Sequence, residues 1–297
     1  MEQLISFLEK EEVEFEREKK LSLCASIGIG GVAKLFVCPK SKEKFTKTLR
    51  FLTENRIPYF ITGNMTNLLP SDRTIDKVII STLGLKNFSI CKNKVEAEAG
   101  VLFSKLILTV KKSSLGGFER LFGIPGTVGG MLRINAGAYG CCISDLLLNA
   151  ELYDPINDSI FSVSKDEVSF FYRDSEIKKR NLIVLSSTFS LLTRDILDIH
   201  SEINYIKERR LATQPLSKKT LGSVFKRTDI APASLLIDKC GLKGRCVGGI
   251  SVSDKHAGFI INLGGASSSD CLSLIDFVKE RVFKQFGIEL QTEIKIL

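Results

Sequence analysis

The sequence predicts a fold of mixed helices and strands, and three observations predict it. Residues 34–81 read as strand, helix, strand, loop and strand, an α/β beginning. Residues 146–193 read almost entirely as short strands. The chain then closes on a long amphipathic helix followed by an alternating strand.

The elements are justified in chain order. Residues 1–20 are expected to form a charged amphipathic helix with Leu4, Ile5 and Leu8 on one side. The turn GIGG at 28–31 precedes a strand, KLFVCP. Ser41 is placed to cap the next helix, in which Phe45, Leu49 and Leu52 recur at helical spacing. Pro58 opens the strand PYFIT, the polar loop GNMTN leads to LLPSD, and KVIIS at 77–81 is a short buried strand. KVEAEAG reads as a strand and LFSKLILTVKKSSL as a helix. LLLNAELYD, SIFSVS and NLIVLSSTFSLL read as strands, with FFYRDSEIKKR between them. Residues 196–210 look helical and basic, and 223–262 mix short strands with a helix near PASLLIDKCG. In 267–287, Ser269 or Asp270 can cap a helix whose apolar face is Cys271, Leu274, Ile275, Val278, Val282 and Phe286, and Gly287 stops it. The tail alternates, with Ile288, Leu290, Ile294 and Ile296 on one face and Glu289, Gln291, Glu293 and Lys295 on the other.

Composition narrows the function. A length of 297 residues suits two or three domains or one large one, with 44% hydrophobic and 26% charged residues, as in soluble globular proteins. The net charge of +8 suits polyanionic partners, but no basic block is interleaved with aromatics and Trp is absent, which argues against nucleic acid. Eight cysteines form no C-x-x-C pair, and His200 and His256 are far apart, so no metal site is expected and the thiols read as core fillers in a reducing compartment. The charged N-terminus lacks the apolar stretch of a signal peptide, and no run is long enough to span a bilayer. A cytoplasmic protein with no membrane partner is expected.

Residues 123–140, GIPGTVGGMLRINAGAYG, hold six glycines in eighteen positions. Flexible linkers are polar, and this run contains Ile124, Val128, Met131, Leu132, Ile134 and Tyr139. It matches neither G-x-x-x-x-G-K-S/T nor a G-x-G-x-x-G that opens a helix after a strand. Two readings stay open on composition alone: tight turns in a β-rich domain, or backbone laid against a pyrophosphate or ring system.

GIPGTVGG followed by INAGAYG resembles the UDP-N-acetylenolpyruvoylglucosamine reductase family. Other segments agree in the family's order: IGIGG at 27–31, NLLPSD at 67–72, YRDS at 172–175, RRLATQP at 209–215, GSVFK at 222–226, GLKG at 241–244, VGG-x-SVSDKHAGFIINLG at 247–264 and GIELQTEI at 287–294. The resemblance spans nearly the whole chain. It implies an α+β fold, with a two-part FAD module of the vanillyl-alcohol-oxidase-like (PCMH) type and a C-terminal α/β substrate domain. The expected boundaries are 1–82 with 286–297, then 83–205, then 206–285. It also implies NADPH as hydride donor, a UDP-sugar substrate with an enolpyruvyl ether, and a compact monomeric enzyme of peptidoglycan precursor synthesis.

Roles follow from the resemblance residue by residue. Ser223 matches the proton donor, Arg173 the group that stabilises charge on the substrate carboxylate, and Glu293 the C-terminal catalytic carboxylate. FAD is expected against Gly63, Asn64, Thr66 and Asn67, and against Gly123, Ile124, Gly126, Thr127, Gly129 and Gly130, with Asn135, Ala136 and Gly137 continuing that wall. Tyr172, Arg209, Arg210, Gln214, Lys226 and Lys255 are the candidates for substrate binding. Three positions depart from the family's pattern: Met65 stands where the first loop has glycine, Arg227-Thr228 replace Asn-Pro, and Thr292 replaces a proline. A module of the same fold that binds without catalysis is the alternative. Retention of Ser223, Arg173 and Glu293 together favours the enzyme.

Overall fold

The computed structural model describes all 297 residues, Met1–Leu297. They group into two units. The first comprises Met1–Arg17, Lys34–Asn64 and Asp76–Lys207, and the second Glu18–Ala33, Met65–Ile75 and Glu208–Leu297. The tail 286–297, expected with the N-terminal segment, groups instead with the C-terminal unit. Backbone hydrogen bonds explain this: Lys226 donates to Gln291 at 2.9 Å and Glu293 donates to Val224 at 2.8 Å.

In the first unit, Val32–Val37, Val78–Ser81 and Tyr59–Thr62 run parallel, in that order. The parallel pairing requires a crossover, and the helix Lys42–Glu54 supplies it. Ser41 caps this helix as expected, its Oγ accepting the Lys44 N–H at 3.2 Å, and Phe45, Leu49 and Leu52 are fully buried. Each such side chain contributes about 1.5–3 kcal/mol of transfer free energy. A five-stranded antiparallel sheet follows, ordered Ser159–Ser164, Leu147–Asp154, Ile183–Ser190, Lys94–Glu98 and Phe88–Cys91. Phe118 stands edge-on to Phe103 and Phe189 in its core, at 4.9 and 5.3 Å between ring centroids.

The N-terminal expectation needs correction. The helix covers only Glu2–Lys10, and Phe15–Lys20 is a strand. The helix ends where Glu12 adopts φ +50°. Val13 is then buried and FEREKK continues as extended chain. Tertiary pairing overrides the helical propensity of Glu and Lys here.

The second unit is built on a four-stranded antiparallel sheet, ordered Lys219–Ser223, Phe259–Asn262, Ile250–Val252 and Cys246–Val247. The helix Ser268–Phe286 packs on the last two strands and on the helix Ala233–Lys239. Its cap is Ser267, neither Ser269 nor Asp270. Ser267 Oγ accepts the Asp270 N–H at 3.0 Å and Asp270 accepts the Ser267 N–H at 2.9 Å, a reciprocal box. Asp72 of the NLLPSD segment accepts the Ser268 N–H and hydroxyl, each at 2.7 Å, adding a carboxylate at the positive end of the helix. Gly287 ends it at φ +68°. In the tail, Leu290 and Ile294 are buried as expected, whereas Ile296 is half exposed because Lys295–Ile296 pairs in parallel with the two-residue strand Leu68–Leu69.

Candidate active site

The six glycines of 123–140 divide by cause. Gly123 and Gly140 have φ +80° and +76°, where a side chain would be strained. At Gly129 a Cβ would lie 2.7 Å from Ala99 Cβ, and at Gly137 2.7 Å from Cys142 Sγ, so close packing explains both. Gly126 and Gly130 remain. Neither has a positive φ, and a Cβ on either would meet only one atom, Met131 Cγ at 3.4 Å or Thr127 Oγ1 at 3.3 Å. Gly130 sits inside the helix Val128–Arg133, where glycine costs about 0.5–1 kcal/mol relative to alanine. Nothing within the protein offsets that cost. A bare, side-chain-free face suits a flat ligand pressed against the backbone, so these residues fit the expected FAD.

The helix Val128–Arg133 contributes less than its position suggests. Its first N–H groups are already used: Val128 donates to Val101 at 3.0 Å, Gly129 to Ala99 at 2.9 Å, and Gly130 to Thr127 Oγ1 at 3.3 Å. Across the first loop, a Cβ on Gly63 would come within 2.5 Å of Thr127 Oγ1, so the GNMTN and GIPGT segments touch through a glycine and a buried threonine.

Arg173 lies in the two-residue turn between Phe170–Phe171 and Asp174–Ser175 and has φ +53°. A left-handed arginine is uncommon, and such strain persists where surrounding contacts hold it. Here Nη2 donates to the Gly137 carbonyl at 2.7 Å and the guanidinium lies 5.3 Å from the Tyr172 ring centroid. Asn135, itself at φ +46°, spends its side chain within the protein: Nδ2 donates to Phe171 at 3.1 Å and Oδ1 accepts the Ser144 N–H at 3.4 Å. Asn135 thus ties the INAGAYG segment to the turn that carries Tyr172 and Arg173, and Ala136 and Gly137 are buried beside it. Burial, with Asp145 nearby, pushes the Cys141 thiol up to about 11 and raises Cys142 as well. Neither is a thiolate near neutral pH, so no thiol competes as nucleophile at this end.

In the second unit Met65 has φ +48° and is only 5% exposed. Met65 itself holds the left-handed conformation that favours glycine, and its thioether is buried. The Met65 carbonyl accepts the Ser26 N–H at 3.2 Å, and that of Thr66 accepts the Ser26 hydroxyl at 3.4 Å. Asn67 Nδ2 donates to the Glu293 carbonyl at 3.2 Å.

Ser223 ends the strand Lys219–Ser223 and is exposed. Gly222, at φ +76° with open space where a Cβ would stand, breaks the strand register just before it. The Ser223 hydroxyl donates to the Phe225 carbonyl at 3.4 Å, longer than the usual O–H···O distance of about 2.7–2.8 Å. Glu293 lies on the adjacent extended segment, and Phe225 bridges Thr292 in the same ladder. Lys226, next in the GSVFK segment, lines an open cleft of about 260 Å³ with Arg227, Thr228 and Gln291.

The other expected substrate residues are spread along the helix Ile196–Thr213 and the 253–256 loop. Arg210 is buried and donates to Gln214 at 3.2 Å, whereas Arg209 is exposed. Lys255 Nζ donates to the Leu211 carbonyl near the end of that helix. Sequence reasoning missed Glu119. Its carboxylate is 4% exposed, accepts the Gly117 N–H at 2.6 Å and pairs with Arg194 at 2.9 Å, fixing the turn that leads into GIPGTVGG. A carboxylate beside two glycines, in GGFER, was the available signal.

No group of three or more His, Cys, Asp or Glu side chains is arranged to hold a metal ion, and no helix is long and apolar enough to cross a membrane.

Comparison with known proteins bears on this arrangement. A family model described as UDP-N-acetylenolpyruvoylglucosamine reductase, C-terminal domain, matches residues 214–297, and one described as FAD binding domain matches 33–159. The chain is 42% identical over 294 residues to the UDP-N-acetylenolpyruvoylglucosamine reductase of Clostridium novyi, covering 99% of this chain and 95% of the relative. It is 39% identical to the enzyme so named from Caldanaerobacter subterraneus, over 92% of this chain and 90% of that one. Among solved structures, the UDP-N-acetylenolpyruvylglucosamine reductase of Thermus caldophilus superposes with a TM-score of 0.81 at 28% identity, covering 96% of this chain and 98% of that chain.

Proposed function

The chain belongs to the UDP-N-acetylenolpyruvoylglucosamine reductase family, and on that premise we propose how its residues divide the work. The protein is an FAD-dependent oxidoreductase that reduces the enolpyruvyl ether of UDP-N-acetylglucosamine, a step of peptidoglycan precursor synthesis. NADPH is the hydride donor in this reading, and the cytoplasm is its location.

When bound, FAD supplies the carrier through which a hydride passes from NADPH to the methylene carbon of the substrate. Gly126 and Gly130 give it a surface without side chains, and Gly63, Asn64, Thr66, Asn67, Gly123, Ile124, Thr127 and Gly129 complete the binding segments. Hydride addition leaves the neighbouring carbon enolate-like, and that carbon needs a proton. Ser223 delivers it from Oγ. A serine is a weak acid, so the transfer requires an environment that stabilises the alkoxide and later returns the proton. Arg173 balances the negative charge that grows on the substrate carboxylate, a task suited to a planar, permanently charged donor. Glu293 polarises the enolpyruvyl group. Tyr172, Arg209, Arg210, Gln214, Lys226 and Lys255 serve the phosphates and carboxylate of the substrate, with Arg210 and Gln214 acting as a hydrogen-bonded pair.

What supports this reading most is the backbone ladder of the second unit, in which Glu293 donates to Val224 at 2.8 Å, immediately after Ser223. Two groups with unlike proton chemistry are held by one short stretch of rigid backbone. The test is spectroscopic. The purified protein is expected to carry flavin absorbance, to bleach with NADPH and to recover on addition of the enolpyruvyl sugar. A colourless protein that FAD cannot reconstitute contradicts the reading.

A further inference from the structure

At the edge of the second unit's sheet farthest from Ser223, a cleft of about 610 Å³ opens between the loop 240–245 and the last turns of the helix Ser268–Phe286. Lys243, Arg245, Phe277, Arg281, Lys284 and Gln285 line it, and its lining includes no carboxylate. Both arginines are exposed and refer to one ring: the guanidinium carbons of Arg245 and Arg281 lie 4.7 and 5.3 Å from the Phe277 centroid.

The charge balance is uneven. Lys243 pairs with Asp238 at 2.8 Å and Lys284 pairs with Glu280 one turn earlier. Arg245 and Arg281 have no carboxylate within 4.0 Å. A cation in the last turn of a helix complements its dipole, which accounts for Lys284. It does not account for Arg245, which comes from a different element and brings a like charge to the same ring. Two neighbouring guanidiniums with no salt-bridged carboxylate, each a planar fork of donors, suit a ligand with two adjacent anionic groups.

We propose that this cleft is a second anion site, distinct from the reaction centre, which takes a small molecule bearing a diphosphate group. The sheet order puts Ser223 and Cys246 on opposite edge strands, three strand spacings apart, on the order of 14 Å. The cleft therefore does not belong to the catalytic ladder. Free pyrophosphate and a nucleoside diphosphate share the required chemistry.

The test is calorimetric titration of the flavin-loaded protein with inorganic pyrophosphate, phosphate and adenosine diphosphate. Pyrophosphate is expected to bind saturably and at least tenfold more tightly than phosphate. Adenosine diphosphate binding as tightly as pyrophosphate assigns recognition to the phosphate chain alone, and tighter binding assigns it to a nucleotide. The double variant Arg245→Ala/Arg281→Ala should weaken pyrophosphate binding at least tenfold while flavin content, melting temperature and turnover of the enolpyruvyl sugar stay within twofold or a degree or so of the parent. Absence of saturable binding, equal affinity for phosphate, or unchanged affinity in a folded double variant overturns the proposal. Because turnover is followed in the same samples, failure here is separable from failure of the reductase assignment.

Discussion

Glu293 donates its backbone N–H to the carbonyl of Val224 at 2.8 Å, which fixes it against the residue that follows Ser223. The link uses main chain only, so the carboxylate can be altered without releasing the ladder. Glu293→Gln is expected to lower kcat by about 10²–10⁴-fold, the range for loss of one acid–base group. Stability, read by urea unfolding of the same variant, should fall by far less than activity does. Comparable losses of kcat and stability would make Glu293 a structural residue.

Gly130 separates the needs of the fold from those of the ligand. Its Cβ position is free apart from Thr127 Oγ1 at 3.3 Å. Gly130→Ala should therefore leave the flavin-free protein within about 1 kcal/mol of the parent, helix propensity gained being set against the tight Thr127 contact. The same methyl group should weaken FAD binding at least tenfold, read by flavin release on dilution. Unchanged FAD affinity would remove Gly130 from the cofactor surface.

Met65 sets two terms against each other. Its left-handed backbone at φ +48° costs about 1–2 kcal/mol, which glycine would recover. Its burial is worth more, because truncating a buried methionine to alanine costs about 2–5 kcal/mol. Met65→Gly is expected to lose up to about 4 kcal/mol net in denaturant unfolding, the difference between those ranges. A gain in stability would mean that the side chain packs against little.

His256 gives a pH signature. Its Nδ1 accepts the Gly258 N–H at 3.1 Å, and burial holds its pKa below the ordinary 6.5. The folded state thus binds a proton less readily than the unfolded chain. This stabilisation is fully present above pH 6.5 and is lost as pH falls below it. Urea midpoints at pH 7.5 and 5.5 should drop more for the parent than for His256→Gln, and equal drops would exclude His256 as the titrating group.

Much of this was legible in the sequence, for identifiable reasons. The helices Lys42–Glu54 and Ser268–Phe286 were readable because their apolar residues recur at helical spacing, and Phe45, Leu49 and Leu52 in the one and Cys271, Leu274, Ile275, Val278 and Val282 in the other pack inward. The strand Phe15–Lys20 was not, because FEREKK has the composition of a helix surface and only tertiary pairing makes it extended. The motifs located the two glycine-bearing loops, Ser223 and Glu293. They did not reveal that Arg173 sits at positive φ with its guanidinium on Gly137, since a left-handed arginine leaves no trace in composition. Nor did they show which glycines serve packing and which leave an open face. That distinction needs the position of the missing Cβ relative to Ala99, Cys142 and Thr127, which only the folded backbone fixes.

The central claim is that Ser223 supplies the proton after hydride transfer. Stopped-flow absorbance on Ser223→Ala measures it most directly, because the two half-reactions can be followed separately. The account predicts flavin reduction by NADPH at close to the parent rate and reoxidation by the enolpyruvyl sugar slowed by about 10²–10⁴-fold. Equal slowing of both half-reactions, or reoxidation at the parent rate, would contradict it.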